Sequence, residues 1–100
     1  MLSMMEFRRS YSTQMTVNGR VITEIVIDPH YEARHPDITD ELILILVKGL
    51  DGREFKPEER DGDWEYFMLD QIEHENRLYR LVWCLNDNTF YLGVINCFRR

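Results

Sequence analysis

One hundred residues, 44% of them hydrophobic, 12% aromatic and 30% charged, suffice for one domain with its own apolar core and lie outside the disordered range. The formal net charge of -6 argues against a generic nucleic-acid coat, which needs surplus Lys and Arg on at least one face. The longest apolar run, the six residues 42–47, is far short of a membrane span.

Residues 1–10 show no period and read as an N-terminal extension to a single domain over 11–100. Segment 11–17 alternates larger and smaller side chains, Asn18-Gly19 follows, and 20–28 is β-branched almost throughout. Asn-Gly between two such runs signals a hairpin, because a type I′ turn needs positive φ at both central residues. Pro29 ends the second strand and permits a short helical turn over 29–34. His35-Pro36 breaks that turn, since a residue before proline is pushed toward extended geometry.

The main helix is expected over 39–48. Thr39 is a good N-cap, Asp40 and Glu41 bring negative charge to the first turn, and Ile38 with Ile43 forms a hydrophobic staple. Gly49 suits a left-handed C′ position with Leu50 closing onto Ile45. A strand competes for 42–47, because Leu-Ile-Leu-Ile-Leu-Val is β-prone and Asp51-Gly52 suits a hairpin; the two caps favour helix. Six consecutive apolar residues cover every side of the helix, so its outer side needs cover, from 1–10, a protein partner or a second copy.

Residues 50–62 read as a charged, solvated and mobile loop. Strands follow at 64–69, 77–85 and 89–99, with turns around 73–76 and 86–88. In the last hairpin Leu81, Trp83 and Leu85 are expected to face Val94, Leu92 and Phe90, with Cys84 near Tyr91 and Cys97 near Leu78. Cys84 and Cys97 do not face each other in that register, so a disulfide is not expected. Unpaired thiols and the lack of an apolar leader in 1–14 point to a reducing cytoplasm. The fold expected is α+β: an antiparallel sheet, made of an N-terminal hairpin and a C-terminal three-stranded meander, packed against one main helix and a short helical turn.

No Gly-rich phosphate loop, Cys-x-x-Cys pair, His-Glu-x-x-His or nucleophile elbow is present, and no cofactor is implied. His30, Arg34 and His35 form the densest group of acid/base and anion-binding side chains, with His30 and Arg34 at helical i, i+4 spacing. The alternative is that they are solvated residues flanking a helix start. A zinc site from His30, His35 and His74 lacks a regularly spaced fourth ligand, so no metal site is assigned. Tyr79, Arg80, Tyr91, Asn96, Arg99 and Arg100 come from adjacent strands, where guanidinium groups suit phosphate oxygens and a ring offers a base a stacking surface. The competing reading is that terminal arginines keep an edge strand soluble. The acid pairs Glu58-Glu59 and Asp61/Asp63 belong to the charged loop and suit a basic partner better than acid/base work.

The segment His35-Pro-Asp-Ile-Thr-Asp-Glu-Leu-Ile, with Tyr79-Arg-Leu-Val-Trp and Tyr91-Leu-Gly-Val-Ile-Asn-Cys-Phe-Arg-Arg100, resembles the small bacterial toxin-like domains related to RelE and BrnT. That resemblance covers roughly residues 20–100 in pattern. It implies the toxin of a toxin–antitoxin pair that cleaves RNA without a metal, with Arg80 and Arg99 as phosphate clamps and His30 or His35 as acid/base. Arg34, Tyr79, Tyr91 and Arg100 would help bind. Such toxins are normally basic, and this chain is acidic. An antitoxin- or immunity-like acidic binding module, or a homodimer assembled through 42–47, is the alternative.

Overall fold

The computed structural model describes residues 8–100. Six strands form one sheet: β1 (Arg9–Val17), β2 (Arg20–Ile27), β3 (Glu59–Asp61), β4 (Trp64–His74), β5 (Arg77–Asn86) and β6 (Tyr91–Arg99). Their order is β1-β2-β6-β5-β4-β3, and the sheet curls into a half-barrel. Neighbours pair antiparallel except β2 and β6, which run parallel from Glu24/Tyr91 to Ile27/Val94. Between β2 and β3 lie a 3-10 turn, Pro29–Ala33, and one helix, α1 (Asp40–Lys48).

The expected α+β arrangement is therefore corrected to a mainly β domain. The hairpin and the meander are not separate units, because β2 lies against β6 and merges them into one mixed sheet. Nor is 50–62 a wholly solvated loop. Glu59–Asp61 pairs with β4, and the Asn18 side chain exchanges hydrogen bonds with the backbone of Phe55, donating to its carbonyl at 3.0 Å and accepting from its N–H at 2.6 Å. This holds the Phe55 ring edge-on against Trp83, centroids 5.2 Å apart. Of the predicted extension, residues 1–7 lie outside the described residues, while Arg9 and Ser10 begin β1.

Local chemistry places the elements. Asn18 and Gly19 take φ values of 54° and 74°, the conformation the β1–β2 turn demands. Thr39 caps α1, its hydroxyl accepting from the Leu42 N–H at 3.1 Å. Removing that acceptor in Thr39→Ala should cost about 1 kcal/mol, read as a lower midpoint at unchanged slope in urea unfolding. At the other end the expected left-handed Gly49 is corrected: it stays right-handed at φ -67°, and the positive φ comes at Gly52. The chain continues from the helix as a tight turn, with Leu50 donating to the Val47 carbonyl.

Alternation sorts the strands into two faces. Ile25, Ile27, Phe67, Leu81, Trp83, Leu85, Leu92 and Val94 share one core cluster with Ile43, Leu46 and Val47 of α1. Leu42 and Leu44 pack against that cluster, leaving Ile45 as the exposed apolar side chain of the helix at 52%. The run 42–47 thus spends itself on this chain's own core, and a Leu46→Lys change would strike folding before any assembly. Among the described residues the opposite face of the sheet carries no helix.

Candidate functional site on the open face of the sheet

β5 and β6 are out of their simple register because Ile95 bulges between the pairs Val82/Asn96 and Trp83/Val94. Both cysteines leave their expected partners: Cys84 pairs with Gly93, through a register already shifted at the turn, and Cys97 pairs with Leu81 beyond the bulge. Phe90, expected in the apolar layer, is 67% exposed. Both thiols are free and buried. Cys97 belongs to the core, whereas Cys84 lies on the open face beside Gly93.

Gly93 leaves a gap there. A Cβ at that position would come within 2.9 Å of the Cys84 sulfur, so the central strand has no side chain where its neighbours would otherwise meet. Around the gap lies a hollow of about 400 Å³, lined among others by Trp64, Tyr66, Tyr91, Val26, Arg8 and Asp28. Trp64 meets Tyr91 edge-on with centroids 6.2 Å apart. A glycine inside a strand costs stability, and one common return is close approach by a ligand. Sequence reasoning put Tyr91, Gly93 and Cys84 on one face and missed Trp64, Tyr66 and Arg8 beside them; the further signal was the Trp64/Tyr66 alternation.

Burial keeps the thiol and the phenols of this hollow uncharged, while Arg8 and Asp28 add charged groups to its lining. Burial pushes the Cys84 thiol up to about 11 and raises Tyr66 and Tyr91 above the ordinary phenol value, with the nearby Cys84 a smaller contribution to both. Arg8 opposes the shift at Cys84 and Tyr91, which places its positive charge close to both. At neutral pH the hollow therefore offers stacking surfaces, phenolic hydroxyls and a cation, and no thiolate nucleophile.

Further along the same face the structure brings several sequence candidates together. The His35 ring stacks on Phe98 at 5.2 Å and 21°, and the Arg80 guanidinium lies 5.4 Å from the centroid of that same Phe98 ring. Arg80 and Arg100 both reach Asp70, Arg80 with Nε at 3.3 Å and Nη2 at 3.2 Å, Arg100 with Nε at 2.8 Å. Hydrogen bonding from Arg80 holds the Asp70 carboxyl below its usual range. Arg80 is thus aimed and partly neutralised, not a bare cation. Four residues of β5 separate Arg80 from Cys84, about 13 Å along the strand.

Other candidates fall elsewhere. Tyr79 is corrected as a binding residue: it is 6% exposed, inward-facing and part of the core cluster. Arg99 pairs with Tyr79 in register, so it lies across the strand from Arg80, with Nη1 3.9 Å from Asp37. Arg34 is exposed in the turn after the 3-10 segment. His30 lies in that segment, and its side chain is outside the described residues.

Of the acids that read as solvated pairs, Asp63 accepts a hydrogen bond from the Asn88 amide at 2.9 Å, and other acids nearby are held in ion pairs. Arg20 and Arg60 each contact both Glu65 and Asp87, tying the starts of β2 and β4 to β3 and to the turn after β5. Among the described residues no group of three or more His, Cys, Asp or Glu is placed to hold a metal ion, and no helix is long and apolar enough to cross a membrane.

Neither a family model, a curated protein nor a solved structure matches this chain.

Proposed function

We propose that the domain presents the open face of its sheet to single-stranded RNA, as a cytoplasmic toxin-like protein that cleaves RNA without a metal. One observation carries the reading: the row His35, Phe98, Arg80 lies on the same face of the sheet as the aromatic hollow, so a cation and an imidazole stand along a surface that also offers rings for stacking. Arg80, already oriented by Asp70, holds a phosphate and stabilises the charge that builds on it. His35, stacked on the same Phe98 ring, takes the proton of the ribose 2′-hydroxyl as that oxygen bonds to phosphorus and gives it to the departing 5′-oxygen. Arg99 is left out of this reading because its register partner is the inward-facing Tyr79.

Expression of the wild-type chain should arrest growth and shorten cellular RNA, and Arg80→Ala should remove both effects while the circular dichroism spectrum stays unchanged. Normal growth on strong expression, with intact RNA, would sink the proposal. A second reading, an acidic module that docks on a basic partner, is favoured by the exposure of Asp51, Glu54, Glu58, Glu59, Asp61 and Asp63 on one stretch of chain. Such a complex should weaken steeply with added salt, because exposed charges are screened beyond about 10 Å at 0.1 M.

A further inference from the structure

We infer that the hollow above Gly93 is a subsite for one nucleotide unit, its base stacked on the Trp64 ring with Tyr91 at its edge and its phosphate facing Arg8. This rests on the RNA reading of the open face and names what that face would select. Three features fit the occupant. The floor is made of the smallest groups on the face, Gly93 and the Cys84 thiol, so a planar ring can come down onto the sheet itself. The walls are neutral aromatics, and base stacking on such rings is sequence-tolerant because every base has a π face. The lining carries the Arg8 guanidinium as well as the Asp28 carboxylate, and a phosphate facing the Arg8 side would use that cation where an uncharged ring would not. A volume of about 400 Å³ lies in the range of small-ligand pockets.

The two tryptophans make the test direct. Trp64 lines the hollow, whereas Trp83 is wholly buried in the core on the other face, so only Trp64 emission should respond to an occupant. Titration with 5′-AMP should quench the emission saturably, and Trp64→Phe should abolish the change. Adenosine should bind about fivefold more weakly than 5′-AMP, the loss of roughly one solvent-exposed ion pair. Inorganic phosphate alone should leave the emission unchanged.

Arg8→Ala, at an exposed position outside every strand and helix, should bring 5′-AMP down to the affinity of adenosine. Tyr91→Leu, which keeps apolar bulk and removes the ring, should weaken both by about tenfold. Equal binding of 5′-AMP and adenosine to the wild-type chain, or a preference for 5′-AMP that survives Arg8→Ala, would overturn the assignment. A short single-stranded oligoadenylate separates the two readings. If it binds while 5′-AMP does not, the subsite falls and the RNA-binding face stands; if neither binds, both fall.

Discussion

Trp83→Ala should cost roughly 3–5 kcal/mol, the usual loss for a fully buried aromatic cut back to alanine. Trp83 is 0% exposed and sits between two rings: Phe67 stacked at 5.2 Å and 9°, Phe55 edge-on at 5.2 Å. It therefore joins β4, β5 and the segment that leads into β3, and its removal empties the centre of the half-barrel. Domains of this size hold only about 5–15 kcal/mol in total, so the variant should be largely unfolded in modest urea. Trp83→Phe is the informative companion. The indole N–H has no acceptor among the described residues, so the phenylalanine loses area but also sheds a buried donor that costs about 1–3 kcal/mol. Its loss should be less than half that of alanine. Urea unfolding followed by circular dichroism measures both, and an alanine variant within 1 kcal/mol of wild type, on the order of the average surface change, would contradict the packing.

Elements whose evidence is local were legible. Asn18-Gly19 fixed the first turn, and Thr39 with Asp40 and Glu41 marked the start of α1 within one residue. The sheet was not legible, because its joining contact is the parallel pairing of β2 with β6, residues 24–27 against 91–94. Nothing in either strand's own pattern records a partner almost seventy residues away, and a β-branched run such as Ile25-Val26-Ile27 reads equally well as the outer strand of a hairpin. Charge misled at 50–62 for a related reason. The segment is acidic, yet one ring, Phe55, and one amide, Asn18, decide where it lies.

The open face was half legible. Alternation put Arg80, Val82 and Cys84 on one side with Ile95, Gly93 and Tyr91, away from the apolar layer of the last hairpin. It could not foresee the Ile95 bulge, which needs one extra residue on one strand and leaves no clear trace in residue types. With the register already shifted at the turn, that bulge adds one more residue and sets Phe98, not the expected Ile95, beside Arg80, where the His35 ring stacks on it. Tyr79 was misplaced because a tyrosine next to arginines looks like a recognition residue; its ring belongs to the core. Arg8 was visible only as a terminal charge, and its value lies in what the sheet brings next to it.

Asp40→Ala should be the most damaging single change to a charged residue, roughly 2–4 kcal/mol. Asp40 is the first residue of α1, and its two oxygens accept from Arg9 Nε at 2.6 Å and Nη2 at 2.9 Å, from the Tyr11 hydroxyl at 2.6 Å and from the Tyr31 hydroxyl at 2.6 Å. The carboxylate thus ties β1, the 3-10 turn and the helix to one point, and it also complements the positive end of the helix dipole. Burial by itself would raise its pKa, but the hydrogen bonds from Arg9, Tyr11 and Tyr31 outweigh that and hold it at about 2 against an ordinary 3.8. The sign follows from linkage: the folded state binds the proton less readily than the unfolded state, so the contribution is fully present above the ordinary value. It declines as pH falls below that value and is gone once the pH has passed through about 2. Asp40→Asn should therefore unfold at lower urea than wild type at neutral pH, and the gap between them should narrow steadily as the solution is acidified below the ordinary carboxylate range. A gap that stays constant across that range would mean the charge of Asp40, as distinct from its shape, contributes nothing to holding the helix against the sheet.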